Sequence, residues 1–509
     1  MDSRFSTQAG IYEILEQADA VPGVFDVRIG RWLAWPAVKV LIYARLCNAL
    51  DAAPMAMPQA RRVFTGASLF SRLPLTWLRL RSQLAQLPAA TRPRVAWLSG
   101  AYARRGADGV EHDAIFGDLT SELTTDAEQV FLQPPVIAPA ATGVHAEPIY
   151  QVATDLANQL TSLQRFRPAI RQAASALAQR LVTVTPTVAG LTWDRVCLDA
   201  LSMFEARRIA WTAVFDRIKP AVVLLTNAPY LAGEVAAAKA SGAVVAEFQH
   251  GLFGPRCPEY GWPGALAPRR DQMAVADRFY VFGDLFRGGA LKNAFWRADD
   301  VRVIGSPEIE RLRGRAARST PNGGPPRIVF LTQPMMRSEA LEFLDRYFRG
   351  IETREFPAAT VTIKVHPSEQ PQLREYAALA ARYPKWCTIA GPADEAASVI
   401  LEHDLAVSYT SYALIEAVGL GRAAVSISGR QAPGGLFALC PIPGASDAIP
   451  VVASPAELSA AAAKAVRPAA ASSGVGFFAP QPPGSMAQAV RELLQRIDKP
   501  EGLSPPARG

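Results

Sequence analysis

The sequence predicts an α/β protein of two doubly wound, Rossmann-like domains that face each other across a cleft, with a basic, largely helical N-terminal region. Two observations lead to this prediction. Short apolar runs of strand length alternate with longer segments of helical periodicity, first from residue 94 to residue 306 and again from residue 327. The chain also has 509 residues, half of them hydrophobic, which is more than one hydrophobic core usually accommodates.

The first alternation opens with RVAWLSG, which predicts a buried strand that ends in a glycine turn before a polar loop. Residues 148–217 have the apolar periodicity of long helices. A βαβ unit follows, with PAVVLLTN and AVVAEFQHG as its strands and YLAGEVAAAKASG as the helix between them. DRFYVFG and DVRVIGSP continue the alternation. Strands this uniformly apolar are typical of a parallel sheet that is covered on both faces.

The second alternation is the clearest structural signal in the chain. Its predicted strands are RIVFLTQP, ATVTIKVHP, WCTIAG, LAVSYT and AAVSIS, separated by helices such as EALEFLDRYFRGI and SYALIEAVGLG. The preceding stretch, RGRAARSTPNGGPP, has the composition of a linker. The predicted units are a basic helical region (1–90), a first Rossmann-like domain (91–312), the linker (313–326), a second Rossmann-like domain (327–470) and a tail with a final helix (471–509).

The composition of the chain argues against several classes of protein and site. The five cysteines are far apart and form no CxxC pair, so the sequence indicates neither a zinc site nor a disulfide framework. The N-terminal segment has acidic residues and lacks the apolar core of a secretory signal, and no apolar run is long enough to span a bilayer. We therefore expect a cytoplasmic protein that holds no metal ion and no bound cofactor.

Basic side chains are concentrated between residues 28 and 94. This segment contains one acidic residue, Asp51, and eleven basic residues. The basic residues are Arg28, Arg31, Lys39, Arg45, Arg61, Arg62, Arg72, Arg79, Arg81, Arg92 and Arg94. Large apolar side chains accompany them, namely Trp32, Trp35, Phe64, Phe70, Trp77 and Leu78. The combination suits an anionic membrane better than a nucleic-acid groove, so we expect peripheral contact with the inner membrane and no nucleic-acid partner. The alternative is a set of ordinary core helices with solvated arginines.

Three polar clusters fall where predicted strands end: FQHG in the first domain, and KVHP and SYTS in the second. Ligands of open α/β sheets bind at the carboxyl ends of the strands, so His250, His366 and Ser411 are predicted to converge on one substrate. Thr410 or Ser411 would cap the following helix, whose free N–H groups can bind phosphate. Glu416, within that helix, would meet a ribose hydroxyl.

Each cluster also has a purely structural interpretation. Serine is common as an ordinary helix cap, and a single histidine at a strand end is often a structural group. A glutamate such as Glu416 is more often a surface or buried structural carboxylate. The coincidence of all three clusters favours a ligand site.

The segments FQHG, YVFGDLF, VIGSPEIERL, IKVHPSE and SYTSYALIEAVGLGRAAVSI occur in an order that resembles bacterial surface-polysaccharide glycosyltransferases of the GT-B fold. This group includes capsule biosynthesis transferases, polysialyltransferase-like enzymes and CDP-glycerol glycerophosphotransferases. The resemblance covers roughly residues 221–428, together with the loop GADGVEHDAIFGD, which looks like an acceptor-side segment. Its most specific parts are the HP pair and the serine-rich loop before ALIEA.

In the sialyltransferase-like relatives those two parts bind the phosphate of a CMP-sugar. The resemblance therefore implies that His366, Ser408, Thr410, Ser411 and Glu416 bind the nucleotide of the donor. In the glycerophosphotransferase relatives the histidine of an HG pair acts near the reacting phosphate.

That second likeness implies a catalytic role for His250, whose ordinary pKa near 6.5 suits either proton transfer or phosphate contact. Lys364 would stabilise the charge that develops on the leaving group, and Gly251 would let the backbone approach the ligand.

The first domain departs from the sialyltransferase pattern because no clear acidic motif supplies a catalytic carboxylate. Asp108, Glu111 and Asp113 are the candidates, and Asp113 is assigned as the catalytic one beside His250. No DxD motif stands out, so we expect a metal-independent mechanism.

These residues predict a GT-B glycosyltransferase of capsule or other surface-polysaccharide synthesis. Its donor would be a nucleotide sugar, first of all a CMP-sugar, and its acceptor a glycan or a lipid-linked glycan. A related transferase that moves a polyol phosphate from a CDP-linked donor would share the fold and the donor site. The alternative from another class is a non-catalytic protein of this fold that binds glycan or assembles a biosynthetic complex.

Overall fold

The computed structural model describes residues 8–49, 67–90, 93–98, 103–105, 111–133, 143–184, 192–316, 324–391, 394–430, 432–465 and 476–498. Within these ranges the chain forms two parallel β-sheets, of seven and six strands, and two short antiparallel strand pairs. The predicted fold class is confirmed. The protein is an α/β protein with two Rossmann-like domains, preceded by a helical region.

The N-terminal region is mainly helical. It comprises α1 (Gln8–Asp19), β1 (Arg28–Ile29), β2 (Trp32–Leu33), α2 (Ala34–Ala49) and α3 (Ala67–Ala85). Strands β1 and β2 pair with each other and with neither of the large sheets. The described side chains of α2 are buried almost all round, which explains why its sequence is apolar throughout instead of along one stripe.

The first domain is organised around the seven-stranded sheet. The strands are β3 (Arg94–Leu98), β6 (Glu128–Phe131), β7 (Gly143–His145), β8 (Val222–Leu225), β9 (Val244–Phe248), β10 (Arg278–Val281) and β11 (Val301–Val303), and β4 (Ala103–Arg105) pairs separately with β5 (Glu111–Asp113). The helices are α4 (Leu119–Glu122), α5 (Glu147–Gln164), α6 (Pro168–Leu181), α7 (Trp193–Ile218), α8 (Ala232–Ala240), α9 (Asp284–Leu291) and α10 (Pro307–Ala316).

The second domain is organised around the six-stranded sheet. Its strands are β12 (Arg327–Leu331), β13 (Thr360–Lys364), β14 (Cys387–Ala390), β15 (Leu405–Ser408), β16 (Ala423–Ile427) and β17 (Val451–Val452). The helices are α11 (Arg337–Glu352), α12 (Leu373–Arg382), α13 (Ala396–Leu401), α14 (Ala413–Gly419), α15 (Leu436–Leu439) and α16 (Pro455–Ala465), and α17 (Ser485–Asp498) follows them.

Both sheets have the strand order of a Rossmann fold. The first runs β11-β10-β9-β8-β3-β6-β7 and the second β14-β13-β12-β15-β16-β17. In each, the chain builds outward from its first strand on one side and then returns to add strands on the other. The order reverses between β3 and β8 in the first sheet and between β12 and β15 in the second. Such switch points open a crevice at the carboxyl ends of the strands, where ligands of open α/β sheets bind.

The central strands are buried on both faces, as their apolar sequences predict. Every residue of β8 and all but the first of β12 are buried, and β3 is buried throughout. Each Val or Leu side chain removed from water in this way contributes about 1.5–3 kcal/mol. This burial explains why runs such as VVLL and IVFL have no polar alternation.

Several elements differ from the sequence-based expectation. The polar loop after β3 contains the β4–β5 pair, whose strands are too short to produce a periodic pattern. Strand β6 was not predicted because its first two residues are polar. In the structure Glu128 pairs with Arg94 (3.0 Å), and Gln129 accepts a hydrogen bond from Trp97 (3.1 Å). Helix α10 continues to Ala316, into the predicted linker.

The C-terminal helix α17 packs against the first domain. The Tyr280 hydroxyl of β10 donates to the carbonyl of Ala489 (3.3 Å), and Arg491 of α17 pairs with Asp126 (2.9 Å). The chain therefore crosses back to the first sheet after completing the second. The two sheets are joined covalently twice, through α10 and through the segment before α17.

Part of the basic segment belongs to the protein interior, which corrects the membrane interpretation for those residues. Lys39 is buried and pairs with Asp19 (2.6 Å), and Arg94 is buried beside β6. Trp32 and Trp35 are buried as well. Arg61, Arg62, Arg92, Asp51 and Phe64 lie outside the described residues. None of the helices in the described ranges is both long and apolar enough to cross a membrane.

Candidate functional site

Gln333, two residues after β12, bridges the switch point of the second sheet. Its side-chain oxygen accepts a hydrogen bond from the backbone N–H of Thr410 (2.8 Å), and its side-chain nitrogen donates to the Thr410 hydroxyl (3.1 Å). Ser408, the last residue of β15, is fully buried and donates to the carbonyl of Leu331 (2.7 Å). The loop 408–411 is therefore held directly against the end of β12.

Thr332 holds the loop that follows β13. Its hydroxyl accepts a hydrogen bond from the backbone N–H of His366 (2.9 Å) and donates to the carboxylate of Glu369. The other oxygen of this buried carboxylate accepts from the Tyr376 hydroxyl (2.7 Å). Two consecutive residues at the end of β12 thus position the loops on both sides of that strand.

The His366 ring presents a hydrogen-bond donor at this edge. Its Nδ1 accepts from the backbone N–H of Ser368 (3.2 Å), so the neutral ring carries its proton on Nε2. The residue is exposed, but partial burial lowers its pKa; Glu369 opposes this effect and Lys364 adds to it. At neutral pH the ring is therefore an uncharged donor, a form suited to bonding a phosphate oxygen.

The remaining predicted donor ligands are engaged with the protein. Lys364 is buried, and its ammonium donates to the carbonyl of Val365 (2.8 Å). The Ser411 hydroxyl accepts from the N–H of Ala413, the first residue of α14 (3.2 Å). Helix α14 has only seven residues and buries Glu416. Donor binding by Lys364, Ser411 and Glu416 therefore remains a prediction, and the short helix offers only a weak dipole for it.

His250 lies two residues after β9, at the carboxyl edge of the first sheet. It is half-buried, and burial lowers its pKa to about 4, below the ordinary value assumed from the sequence. Its imidazole is therefore uncharged at neutral pH. A side chain added at Gly251 would meet open space, so there is room next to the backbone beside His250.

Glu247 fixes the segments around His250. It is buried, and its Oε1 accepts from the backbone N–H of Ala228 (3.0 Å) and from the Tyr260 hydroxyl (2.6 Å). Burial is the main reason that the pKa of this carboxyl is raised to about 7. The contacts tie the turn after β8 and the loop after β9 into one unit.

Asp113 lies near β9, but its carboxylate stabilises a turn. Oδ1 accepts from the backbone N–H groups two and three residues further on, at 2.8 and 2.9 Å. The Phe116 ring of this turn lies 5.1 Å from that of Phe248 on β9. A catalytic role for Asp113 remains a prediction, and the side chains of Asp108 and Glu111 lie outside the described part of the chain.

The loop after His250, residues 251–263, touches the second domain. A Cβ added to Gly254 would lie 2.9 Å from both the Cys440 Sγ and the Pro441 carbonyl oxygen. Three residues further on, the Cys257 Sγ lies 2.7 Å from the same sulfur. The carboxyl edge of the first sheet therefore faces the second domain close to His250.

Local sequence patterns did not predict Thr332, Gln333 and Glu247 as residues of the site. A signal for the first two was present, because a polar pair directly follows the buried strand that opens the second alternation. Glu247 was also visible as an acidic residue inside an apolar strand. Their partners lie 13 to 77 residues away in the chain, so no local pattern indicated what they hold.

No protein-family model matches this sequence, and the comparison with curated proteins finds no match. Among solved structures, the chain is similar to the UDP-GlcNAc 2-epimerase of Neisseria meningitidis bound to UDP-GlcNAc, with a TM-score of 0.45, 12% identity and coverage of 79% of this chain and 100% of that one. For the UDP-GlcNAc 2-epimerase of Methanocaldococcus jannaschii the TM-score is 0.44 and the identity 12%, with coverage of 79% of this chain and 99% of that one. For a glycosyltransferase of Rickettsia africae the TM-score is 0.39 and the identity 10%, with coverage of 80% of this chain and 94% of that one. These likenesses are distant, and the fold assignment rests on the strand order.

Proposed function

We propose that this protein is a glycosyltransferase that transfers a sugar from a nucleotide-activated donor to a glycan or lipid-linked acceptor in bacterial surface-polysaccharide synthesis. The observation that supports this best is the hydrogen-bonded bridge between Gln333 and Thr410 at the switch point of the second sheet. Nucleotides bind Rossmann-like sheets at that position. A CMP-linked sugar is the first candidate for the donor.

The proposed donor site stabilises the leaving nucleotide through hydrogen bonds. As the glycosidic bond breaks, negative charge grows on the phosphate. The Nε2–H of His366 and the hydroxyl of Thr410 lie on loops that flank β12, and both are held in place before any ligand arrives. Donors positioned in advance lower the free energy of the charged transition state because they need no reorganisation. We expect this stabilisation to operate without a metal ion.

His250 is proposed to receive the proton of the acceptor hydroxyl. Its low pKa keeps the imidazole unprotonated at neutral pH, so one ring nitrogen can accept a hydrogen bond, and the same shift makes the ring a weaker base than an ordinary histidine. The loop that follows it reaches the second domain at Cys440. The reacting hydroxyl would bind between the His250 edge of the first sheet and the switch point of the second.

His366→Ala is expected to weaken binding of the preferred nucleotide by about 10-fold or more, because a hydrogen bond to a charged group contributes roughly 1.5–3 kcal/mol. A thermal-shift screen of CMP, CDP and UDP and their sugars first identifies that nucleotide, and titration calorimetry then measures its Kd. His403→Ala is the matched control. His403 lies in the second domain but two residues before the amino end of β15, where it is buried and bonds the Val399 carbonyl (2.6 Å) and Thr362 (2.7 Å).

The proposed donor site is wrong if His366→Ala and His403→Ala bind the nucleotide equally well. Preferential binding of a CDP-linked polyol would instead favour the polyol-phosphate transferase. Binding without transfer to any acceptor would favour the non-catalytic alternative.

We further propose that α3 attaches the protein to an anionic membrane, where a lipid-linked acceptor would be available. Leu75 and Leu78 are 61% and 59% exposed on this helix. Arg72, Arg79 and Arg81 are exposed around them, and the helix contains no acidic residue. The arginines would bind the negatively charged lipid headgroups, and the exposed apolar side chains would insert into the headgroup layer.

Changing Arg72, Arg79 and Arg81 together to serine is expected to lower binding to anionic vesicles by about 100-fold, because each basic residue at such a surface contributes about 1 kcal/mol. Vesicle sedimentation with and without phosphatidylserine measures the effect, and added salt should weaken wild-type binding. The control replaces Phe166 and Val182 with serine; they are 77% and 67% exposed but lie outside α3. Equal binding to neutral and anionic vesicles would contradict the proposal.

A further inference from the structure

Two cysteines from different domains meet beside the His250 loop. Cys257 lies in the loop after β9, and Cys440 directly follows α15 in the second domain. Their Sγ atoms are 2.7 Å apart, although the residues are 183 positions apart in the chain. Both thiols are buried and reduced. The spacing of the cysteines along the sequence does not indicate that these two meet between the domains.

The backbone on each side holds this contact in place. The Cys257 N–H donates to the Gly254 carbonyl (3.0 Å), and the Cys257 carbonyl accepts from the N–H of Gly261 (2.7 Å). Gly254 packs its backbone against Cys440 with no room for a side chain. Because the sulfur atoms already touch, little movement is needed to reach the bond length of about 2.05 Å.

We infer that Cys257 and Cys440 form a reversible disulfide that links the two domains under oxidising conditions. A hydroperoxide is the two-electron oxidant. One thiolate attacks a peroxide oxygen and becomes a sulfenic acid, and water leaves when the peroxide is hydrogen peroxide. The second sulfur attacks the sulfenic sulfur and displaces a second water. In sum, two thiols and one H₂O₂ give one disulfide and two H₂O.

The surroundings of the pair keep this oxidation slow while the domains are together. Burial, and then the neighbouring Cys257 thiol and Glu259, raise the pKa of Cys440 well above the usual thiol value. The thiolate of Cys440, which is the reactive form, is therefore scarce until the interface loosens. Cys47, Cys197 and Cys387 are buried too, and burial raises the pKa of each to about 12. Only the Cys257–Cys440 pair, among the five cysteines, combines burial with sulfur–sulfur contact.

The disulfide would restrain the cleft next to His250. It would join the loop after β9 to the end of α15, so the two Rossmann-like domains could no longer separate at that point. A bond that closes a long loop also reduces the conformational freedom of the unfolded chain. The oxidised protein should therefore be more resistant to unfolding than the reduced protein.

Hydrogen peroxide treatment of the full chain tests the inference. Free thiols are then alkylated, and a non-reducing digest is analysed by mass spectrometry. We expect a cross-linked peptide pair containing Cys257 and Cys440, its disappearance after dithiothreitol, and a Tm higher by about 3 °C in the oxidised protein. Cys257→Ser and Cys440→Ser should abolish both effects. Cys387→Ser, which replaces a buried cysteine of β14, should retain both.

Three results would overturn the inference: no Cys257–Cys440 cross-link in the wild type, a cross-link to another cysteine in its place, or a Tm increase that persists in Cys257→Ser. A cross-link without any rise in Tm would contradict the proposal that the disulfide restrains the two domains. If the serine variants fold poorly, Cys257→Ala and Cys440→Ala serve instead, and the peptide analysis of the wild type decides by itself. The outcome does not depend on the proposed transferase activity.

Discussion

Replacing His250 with alanine is expected to lower kcat by about 100-fold or more while the Kd of the donor nucleotide stays nearly unchanged. The reason is that His250 lies on the edge of the first sheet, whereas the proposed nucleotide site lies on the second. Loss of a general base or of a group that stabilises charge in the transition state typically costs this much. Steady-state kinetics with the nucleotide sugar identified by the thermal-shift screen, together with calorimetric Kd values, measures the two quantities.

The pH dependence gives the His250 prediction a second readout. Because burial lowers the pKa of His250 to about 4, the acid side of the pH–rate profile should lie near pH 4 instead of near 6.5. Stability should follow the same group. Below about pH 6.5 the unfolded chain binds a proton at His250, whereas the folded chain binds it only as the pH approaches 4. The free energy of unfolding therefore falls as the pH drops from 6.5 towards 4. His250→Ala should reduce that slope.

His403→Ala is again the control, since it removes a buried histidine without touching the cleft edge. We expect it to lower stability and to leave kcat within about two-fold of the wild type. Near-normal turnover in His250→Ala would make His250 a structural residue. A parallel loss of kcat in His403→Ala would show that the effect comes from general destabilisation.

Replacing Gln333 with alanine is expected to weaken nucleotide binding by about 10- to 100-fold. The Thr410 N–H and hydroxyl would lose their partner across the switch point, and the loop 408–411 would no longer be held in position. Thr410 is half-buried, and leaving a polar group that is shielded from water without a partner costs about 1–3 kcal/mol, which corresponds to that range of affinity. Gln333→Glu should bind still more weakly, because its carboxylate would repel the donor phosphate.

Gln129→Ala provides a matched control for Gln333. Gln129 is likewise a glutamine with two side-chain hydrogen bonds, although it is fully buried and Gln333 is half-buried; it accepts from Trp97 and donates to the Thr120 carbonyl (2.6 Å), and it lies in the first sheet. Both variants should lose stability, whereas only Gln333→Ala should lose nucleotide affinity. If the two variants keep the same Kd as the wild type, Gln333 supports the fold and does not position a nucleotide loop.

The roles of Thr332 and Gln333 follow from the position of β12. It is the first strand of its sheet in sequence, and the strands added later, β13 and β15, flank it on either side. Residues directly after such a strand can reach the loops that follow both neighbours. This geometry explains why two short polar side chains organise the whole edge, and why a substitution here should affect binding more than one at an outer strand.

Much of the fold was predictable from sequence because it depends on local patterns. The apolar runs of β8, β9 and β12 to β16 identify buried parallel strands, and their alternation with amphipathic helices indicates Rossmann-like sheets. Placement of His250 and His366 at the carboxyl ends of strands follows from the same patterns. Strands β6 and β7 could not be predicted in this way, since polar residues of β6 are satisfied by partners on β3.

Local patterns in the sequence specify the two α/β domains and the strand ends at which polar residues cluster. The pairing of distant residues became visible only in the folded chain: Gln333 meets Thr410, Glu247 meets Tyr260, and Cys257 meets Cys440. The structure also showed that part of the basic segment is interior, since Lys39 and Arg94 are buried and paired there. The physical reason is that backbone periodicity is a local property, whereas burial, hydrogen-bond partners and shifted pKa values arise only when separate parts of the chain exclude water together.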